Sequence, residues 1–367
     1  MSRITLATDC FTRRIGTFVA ALACTLLLAA SASSLATTLQ PGDIVTTAFL
    51  GSDMTDSGIL VINPVTGDRT ILSDNTHGTG PQFAIAGGVT MEPNGQLLVG
   101  DLMASTLYQV DPATGNRTVV SGPGVGSGPE LTDLIGARVV GNRLLAIDSD
   151  PGNTLMWIDP ATGNRTIASG AGMGSGPPLS YSTAGTSSGP NSFVITNLGT
   201  GQIFNVDLTT GDRSVVSGGG VGTGPEMTFP ADIQYDQSGN LIVSDEKGPA
   251  LYRIDPATGN RTVISSNTVG AGPSFGTAET VGIGLEADGT IAVDVQGQGA
   301  VFLVDPTTGN RTILSDNTHG SGTDVYATVS LLIVPAPEPS TWALGGIGAS
   351  MLSLVALRSR SRRQPST

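Results

Sequence analysis

Between residues 40 and 335, apolar positions alternate with polar or small ones in short runs, and each run stops at Gly, Pro, Asn or Asp. Such alternation is the mark of a half-buried strand, and this part of the chain keeps no 3.6-residue helical period. A phrase of the type VDPATGNRTVVS occurs six times, with its glycine at Gly67, Gly115, Gly163, Gly211, Gly259 and Gly309, spaced by 48, 48, 48, 48 and 50 residues. Around it each full copy reads as four strands, seen in the second copy as GGVTMEP, QLLVGD, TLYQVD and NRTVVS. Four strands per repeat of this length predict propeller blades, so the fold class is all-β, a six-bladed β-propeller of four-stranded blades.

The third strand of each repeat shows why the blades must stack. Leu60, Tyr108, Met156, Phe204, Tyr252 and Phe302 form one apolar column, and Ile62, Val110, Ile158, Val206, Ile254 and Val304 form another two residues on. The strand period of two puts both on one sheet face. The opposite face is also apolar at Leu107, Leu155, Ile203, Leu251 and Val301, as expected of a sheet packed between two neighbours. The first copy has only three strands, whereas one strand is left over after the sixth, at 325–334. That strand is expected to complete blade one and close a ring spanning residues 37–334.

The turn phrase explains itself locally: Asp111 caps, Pro112 fixes φ, and Gly115 takes the left-handed conformation. Asn-Arg-Thr follows at Asn116, Asn164, Asn260 and Asn310, and these asparagines read as turn residues rather than glycosylation acceptors. The repeated Arg69, Arg117, Arg165, Arg213, Arg261 and Arg311 read as a solvated ring of surface charge on the outermost strands.

The two ends differ from the middle. Arg3, Arg13 and Arg14 precede an apolar run and the small-residue stretch SASSLA, the layout of a signal peptide over 1–36, handled by the Sec translocon and signal peptidase. Both cysteines, Cys10 and Cys24, fall in it, so the mature chain is expected to carry no thiol. Between Thr37 and Pro337 lie 10 of the 17 Lys and Arg and 28 of the 30 Asp and Glu, a net charge of −18. That excludes nucleic acid as a partner of the body and suits cations or a hydrated polysaccharide.

At the far end, the linker VPAPEPST leads to WALGGIGASMLSLVAL and then RSRSRR. A helix over 342–357 would span ~24 Å, slightly short of a ~30 Å hydrocarbon core, with Trp342 and the arginines anchoring its ends. With Pro337, Glu338 and Pro339 ahead of this helix and its basic tail, residues 335–367 resemble the PEP-CTERM sorting signal of Gram-negative bacteria. The resemblance implies processing by a membrane exosortase, a transient inner-membrane anchor, and delivery of the body to the cell surface or extracellular matrix.

Chemistry is expected on the face that carries the second-strand ends, with Asp101, Asp148, Asp245 and Asp294, and the GxGP loops between blades. Near the start of inner strands stand Asp133, Asp232 and Glu279, candidate ligands for Ca²⁺ or another divalent cation at the channel mouth, although the aligned repeats put the three in different registers. His77 and His319, the only histidines, lie in duplicated SDNTHG loops and read as copies, not catalysts. In blade pattern the body resembles NHL-type propellers and the group containing gluconolactonases and streptogramin lyase. The expectation is a non-catalytic protein that binds exopolysaccharide or a surface protein. The alternative is a metal-dependent lactonase or lyase with Asp133, Asp232 and Glu279 near its metal.

Overall fold

The structure is a computed structural model that describes residues 39–50, 56–149, 151–277 and 279–336. The expected signal peptide and the sorting motif with its helix lie outside the described residues. Among the described residues no helix is long and apolar enough to cross a membrane.

The described chain forms 24 strands in six four-stranded antiparallel sheets. Blade one has the order β24-β1-β2-β3, in which the last strand, β24 (Ala327–Ile333), pairs with β1 (Ile44–Phe49) from Ile44↔Ile333 to Phe49↔Ala327. The expected closure by the C-terminal strand is therefore present. Blades two to six each use four consecutive strands. The innermost strands β24, β4 (Ala86–Met91), β8 (Leu134–Val140), β12 (Gly185–Gly189), β16 (Pro230–Tyr235) and β20 (Thr280–Leu285) touch in that order around the axis, and β20 returns to β24.

The apolar columns are buried throughout. Leu60, Phe204, Phe302, Val110, Leu107 and Leu155 have no exposed surface, and each such side chain contributes roughly 1.5–3 kcal/mol through burial. Both faces of every blade are used, so no blade has an independent core.

The outer rim departs from the sequence expectation. Arg69, Arg117, Arg165, Arg261 and Arg311 are each less than a tenth exposed, and they clasp the loop that leaves the preceding blade. Arg117 donates from Nε to Pro81 O (2.7 Å) and from Nη1 to Ser73 Oγ (2.6 Å) and His77 O (3.0 Å). Its backbone N–H donates to Thr79 O (2.7 Å), pairing the free edge of the outer strand. Beside it, Asn116 Oδ1 accepts from the N–H and hydroxyl of Thr79, both at 2.8 Å. The Nε bond recurs at Arg165, Arg213, Arg261, Arg311 and, across the closing seam, Arg69. Asp68 and Asp212 replace the asparagine in blades one and four and accept from Ser321 and Ser175.

The loop's glycines are dictated by this contact. Gly78 lies at φ +79°, and a Cβ there would collide with the carbonyl of Gly115 in the next blade. The GxGP loops are thus the receiving half of a blade-to-blade clasp and not free binding loops. The histidines also serve the turns. Asp74 Oδ1 accepts the N–H groups of Thr76 and His77 and meets His77 Nδ1 at 2.9 Å, and Asp316 does the same for Thr318 and His319.

Candidate functional site at the channel mouth

The second-strand acids place the residues around the axis. Asp101 accepts from the N–H groups of Ala84 (2.8 Å) and Ile85 (3.1 Å), Asp148 from Thr132 (2.9 Å) and Asp133 (2.8 Å), and Asp245 from Thr228 (2.6 Å) and Phe229 (3.0 Å). Asn197 does the same work in blade four, accepting from Ser180 at 2.6 Å. The three aspartate caps each fix the residue just before an inner strand, whereas Asn197 holds the lead-in to β12. Register puts Ile85, Asp133, Phe229, Glu279 and Tyr326 at this level, and Tyr181 takes the corresponding place in blade four, where its carbonyl accepts the N–H of Leu198. Together they form a collar at the loop-face end of the channel.

The collar is where the repeats stop repeating. Clasp positions carry Arg in all six blades, whereas the collar carries an aliphatic residue, two acids and three aromatics. Tyr181 and Tyr326 are about half exposed (52% and 47%). Lys247 Nζ lies 3.7 Å from the centre of the Phe229 ring. Tyr181 sits at φ +52°, costly for an aromatic residue, and is held there by Asn153 Oδ1, which accepts its N–H at 2.9 Å.

Below the collar is a cavity of about 180 Å³ lined by the inner strands of five blades, at Gly87, Ile135, Ala231, Val281 and Ser330, and by Thr183 just ahead of β12 in blade four. Its charged groups are Arg138, Asp232 and Glu246. Asp232 is spent on the backbone: Oδ1 accepts from Ile233 (2.7 Å) and Oδ2 from Ile283 (2.9 Å). Burial raises its pKa against the opposing pull of Arg138. Arg138 donates to Gly185 O (3.2 Å) and Ala137 O (3.3 Å), and burial lowers its pKa while Asp232 works the other way. Glu246 is pushed up by burial and then by the like charge of Glu279.

Of the candidate metal ligands, Asp133 and Glu279 share one level but belong to blades three and six, on opposite sides of the ring. Asp232 lies three residues deeper on its strand. The three therefore occupy two registers, not three, and no set of three His, Cys, Asp or Glu side chains is grouped for a metal among the described residues. Ca²⁺ takes six to eight oxygens, which this arrangement does not supply.

Asp294 is also not the cap it resembles in sequence. Val295 pairs with Thr280 at the capping position, so Asp294, one residue earlier, turns the other way into the seam with blade one. There it is wholly buried; Oδ2 accepts from Thr46 Oγ1 (3.2 Å) and Oδ1 has no partner. Burial drives its pKa well up. Sequence reasoning missed Arg138, Glu246, Asn197 and the three aromatics. The one available signal for Arg138 was a lone basic residue inside an inner strand otherwise built of small and apolar residues.

No family model matches the chain, and no curated protein is detectably similar to it. Among solved structures it is similar to a chain of the nidogen/laminin complex, with 11% identity over 81% of this chain and 100% of that one and a TM-score of 0.59. It is also similar to streptogramin B lyase (15% identity, 78% and 76% covered, TM-score 0.47) and to virginiamycin B lyase from Staphylococcus aureus (13%, 63% and 70%, 0.47). At these identities what is shared is the propeller fold alone.

Proposed function

We propose that this protein is an exported, non-catalytic binding propeller of a Gram-negative surface or matrix, whose ligand seats on the collar at the loop-face end of the channel. The observation that carries this reading is the divergence of the collar within an otherwise repeated chain. Six equivalent positions around the channel hold an aliphatic residue, two acids and three aromatics, among them two half-exposed tyrosines, one on a strained backbone. Aromatic faces interleaved with carboxylates suit a partner that presents flat apolar surface beside hydroxyl or cationic donors. In the cavity beneath, Asp232 is committed to two backbone N–H groups and Arg138 to two carbonyls, and Glu246 is the one other charged group of the lining.

Export and sorting rest on the ends of the sequence alone. Gly42 donates to Val334 O (2.9 Å) and Val334 to Asp43 O (2.8 Å), so both ends of the propeller leave from the hairpin face, opposite the collar. A tether there keeps the collar clear. Mass spectrometry of surface-released protein tests the sorting half: the expected product ends near Pro339, and a product that retains residues 358–363 argues for a permanent anchor instead.

A further inference from the structure

Glu286 is an acid without the partner that its counterparts have. It follows the inner strand β20 of blade six, with its N–H donating to Thr290 O at 2.9 Å. Glu92 in blade two and Asp236 in blade five hold the same place, donating to Gln96 O and Asn240 O, each at 2.8 Å. Strand register then fixes the third-strand residue beside each acid: Gln109 in blade two, Arg253 in blade five and Leu303 in blade six. Gln109 Nε2 donates to Glu92 Oε2, and Arg253 Nε stands 3.6 Å from Asp236 Oδ2. Leu303 offers nothing, and Glu286 Oε1 is buried with no hydrogen-bond partner. A buried acceptor left open is a stability cost that calls for an explanation.

The cavity beside it supplies one. About 480 Å³ lies between the hairpins of blades five and six, lined by Tyr235, Asp236, Arg253, Glu286 and Pro306 among others, within the range of small-molecule sites. Its frame is braced from blade to blade: Gln234 Nε2 donates to Ile283 O (2.6 Å), Gln237 Nε2 to Ala287 O (2.8 Å) and Arg253 Nη2 to Pro306 O (3.3 Å). The walls are thus set before any ligand arrives. Arg253 and Asp236 offset one another in the wall, and burial, with the like charge of Asp288, raises the pKa of Glu286, so neither a full cation nor an anion is matched there. What remains is a neutral molecule rich in hydroxyls, each both donor and acceptor, with an apolar ring face for Tyr235.

We propose that this seam cavity, on the face opposite the collar, binds a neutral saccharide unit with a ring hydroxyl donating to the Glu286 carboxyl. The proposal requires a turn of that carboxyl about its soft terminal bond to bring the open oxygen to the cavity. The test is calorimetric titration of the mature chain recovered from producing cells with glucose, galactose, mannose and their disaccharides. The expected result is saturable binding of at least one of them with Kd of about 1 mM or tighter. Leu303→Gln, which installs the partner found in blade two, is expected to weaken it about fivefold or more with the melting temperature kept. Glu286→Leu acts in the same direction. Absence of saturable binding to any of these sugars, or affinity unaltered by Leu303→Gln, overturns the proposal.

Discussion

Arg117 Nε and the carbonyl oxygen of Pro81 are 36 residues apart in sequence and 2.7 Å apart in space, and they belong to adjoining blades. The guanidinium is buried, stands 5.1 Å from the centre of the Phe83 ring, and has its pKa lowered by that burial. Six such contacts tie the propeller together at its rim.

Breaking the Arg165 clasp takes from Pro129 O its donor and from Ser121 Oγ and Val125 O one donor each. Arg165→Met is expected to cost about 2–4 kcal/mol in urea denaturation, and Arg165→Lys to recover little of it, because an ammonium cannot reproduce the fork that reaches Pro129 O and Ser121 Oγ together. A loss within about 0.5 kcal/mol, the range of ordinary surface changes, would show the clasp to be incidental.

Asp294 makes the opposite prediction. Its folded pKa is raised by burial, so its contribution is most favourable below the unfolded carboxylate pKa of about 3.9 and declines as pH rises through the folded value. Asp294→Asn removes the ionisation and keeps an acceptor for Thr46. The variant should melt higher than the parent at pH 7, by about 1–2 kcal/mol of stability, and match it near pH 3. Equal melting of the two at both pH values would refute the assignment.

Asp316 behaves with the conventional sign. Its hydrogen bonds from Thr318 and His319 outweigh burial and depress its pKa to about 2. Its stabilisation is therefore full above the unfolded value and lost as pH falls from about 4 toward 2. Asp316→Ala should destabilise at pH 7 and be silent below pH 2, which a pH series of melting curves reads directly.

Ring closure has its own test. A chain stopped after Gly322 lacks β24, whereas one stopped after Ala336 keeps it. The first is expected to lose cooperative unfolding and aggregate through exposed strand edges, and the second to melt like the parent body. Equivalent melting of both would mean that β24 is not the closing strand.

The strands and blade count were legible because strand periodicity and the 48-residue repeat are local signals that reinforce one another six times. The clasp was not, because Arg117 and Pro81 lie in successive repeats, and the sequence shows only an arginine beside turn acids. The inner strands were harder still. The inner strands of blades two, three, five and six all carry a register shift near their start, and only the pairings Leu134↔Asp148 and Thr280↔Val295 reveal that Asp133 and Glu279 share one level that sequence alignment had divided. Asp294 was misread for a related reason: IAVD and LIVSD look alike, but the acid in the first comes one residue early and points the other way.

Retention of the purified exported protein on washed cell-surface material, from a strain that lacks it, bears most directly on the collar. Tyr181→Ser, Phe229→Ser and Tyr326→Ser combined should leave the melting temperature near that of the parent, since Tyr181 and Tyr326 are half exposed, and lower retention about tenfold or more, equivalent to ~1.4 kcal/mol. Parent-like retention by this folded triple variant would contradict the account and move the binding surface off the channel mouth.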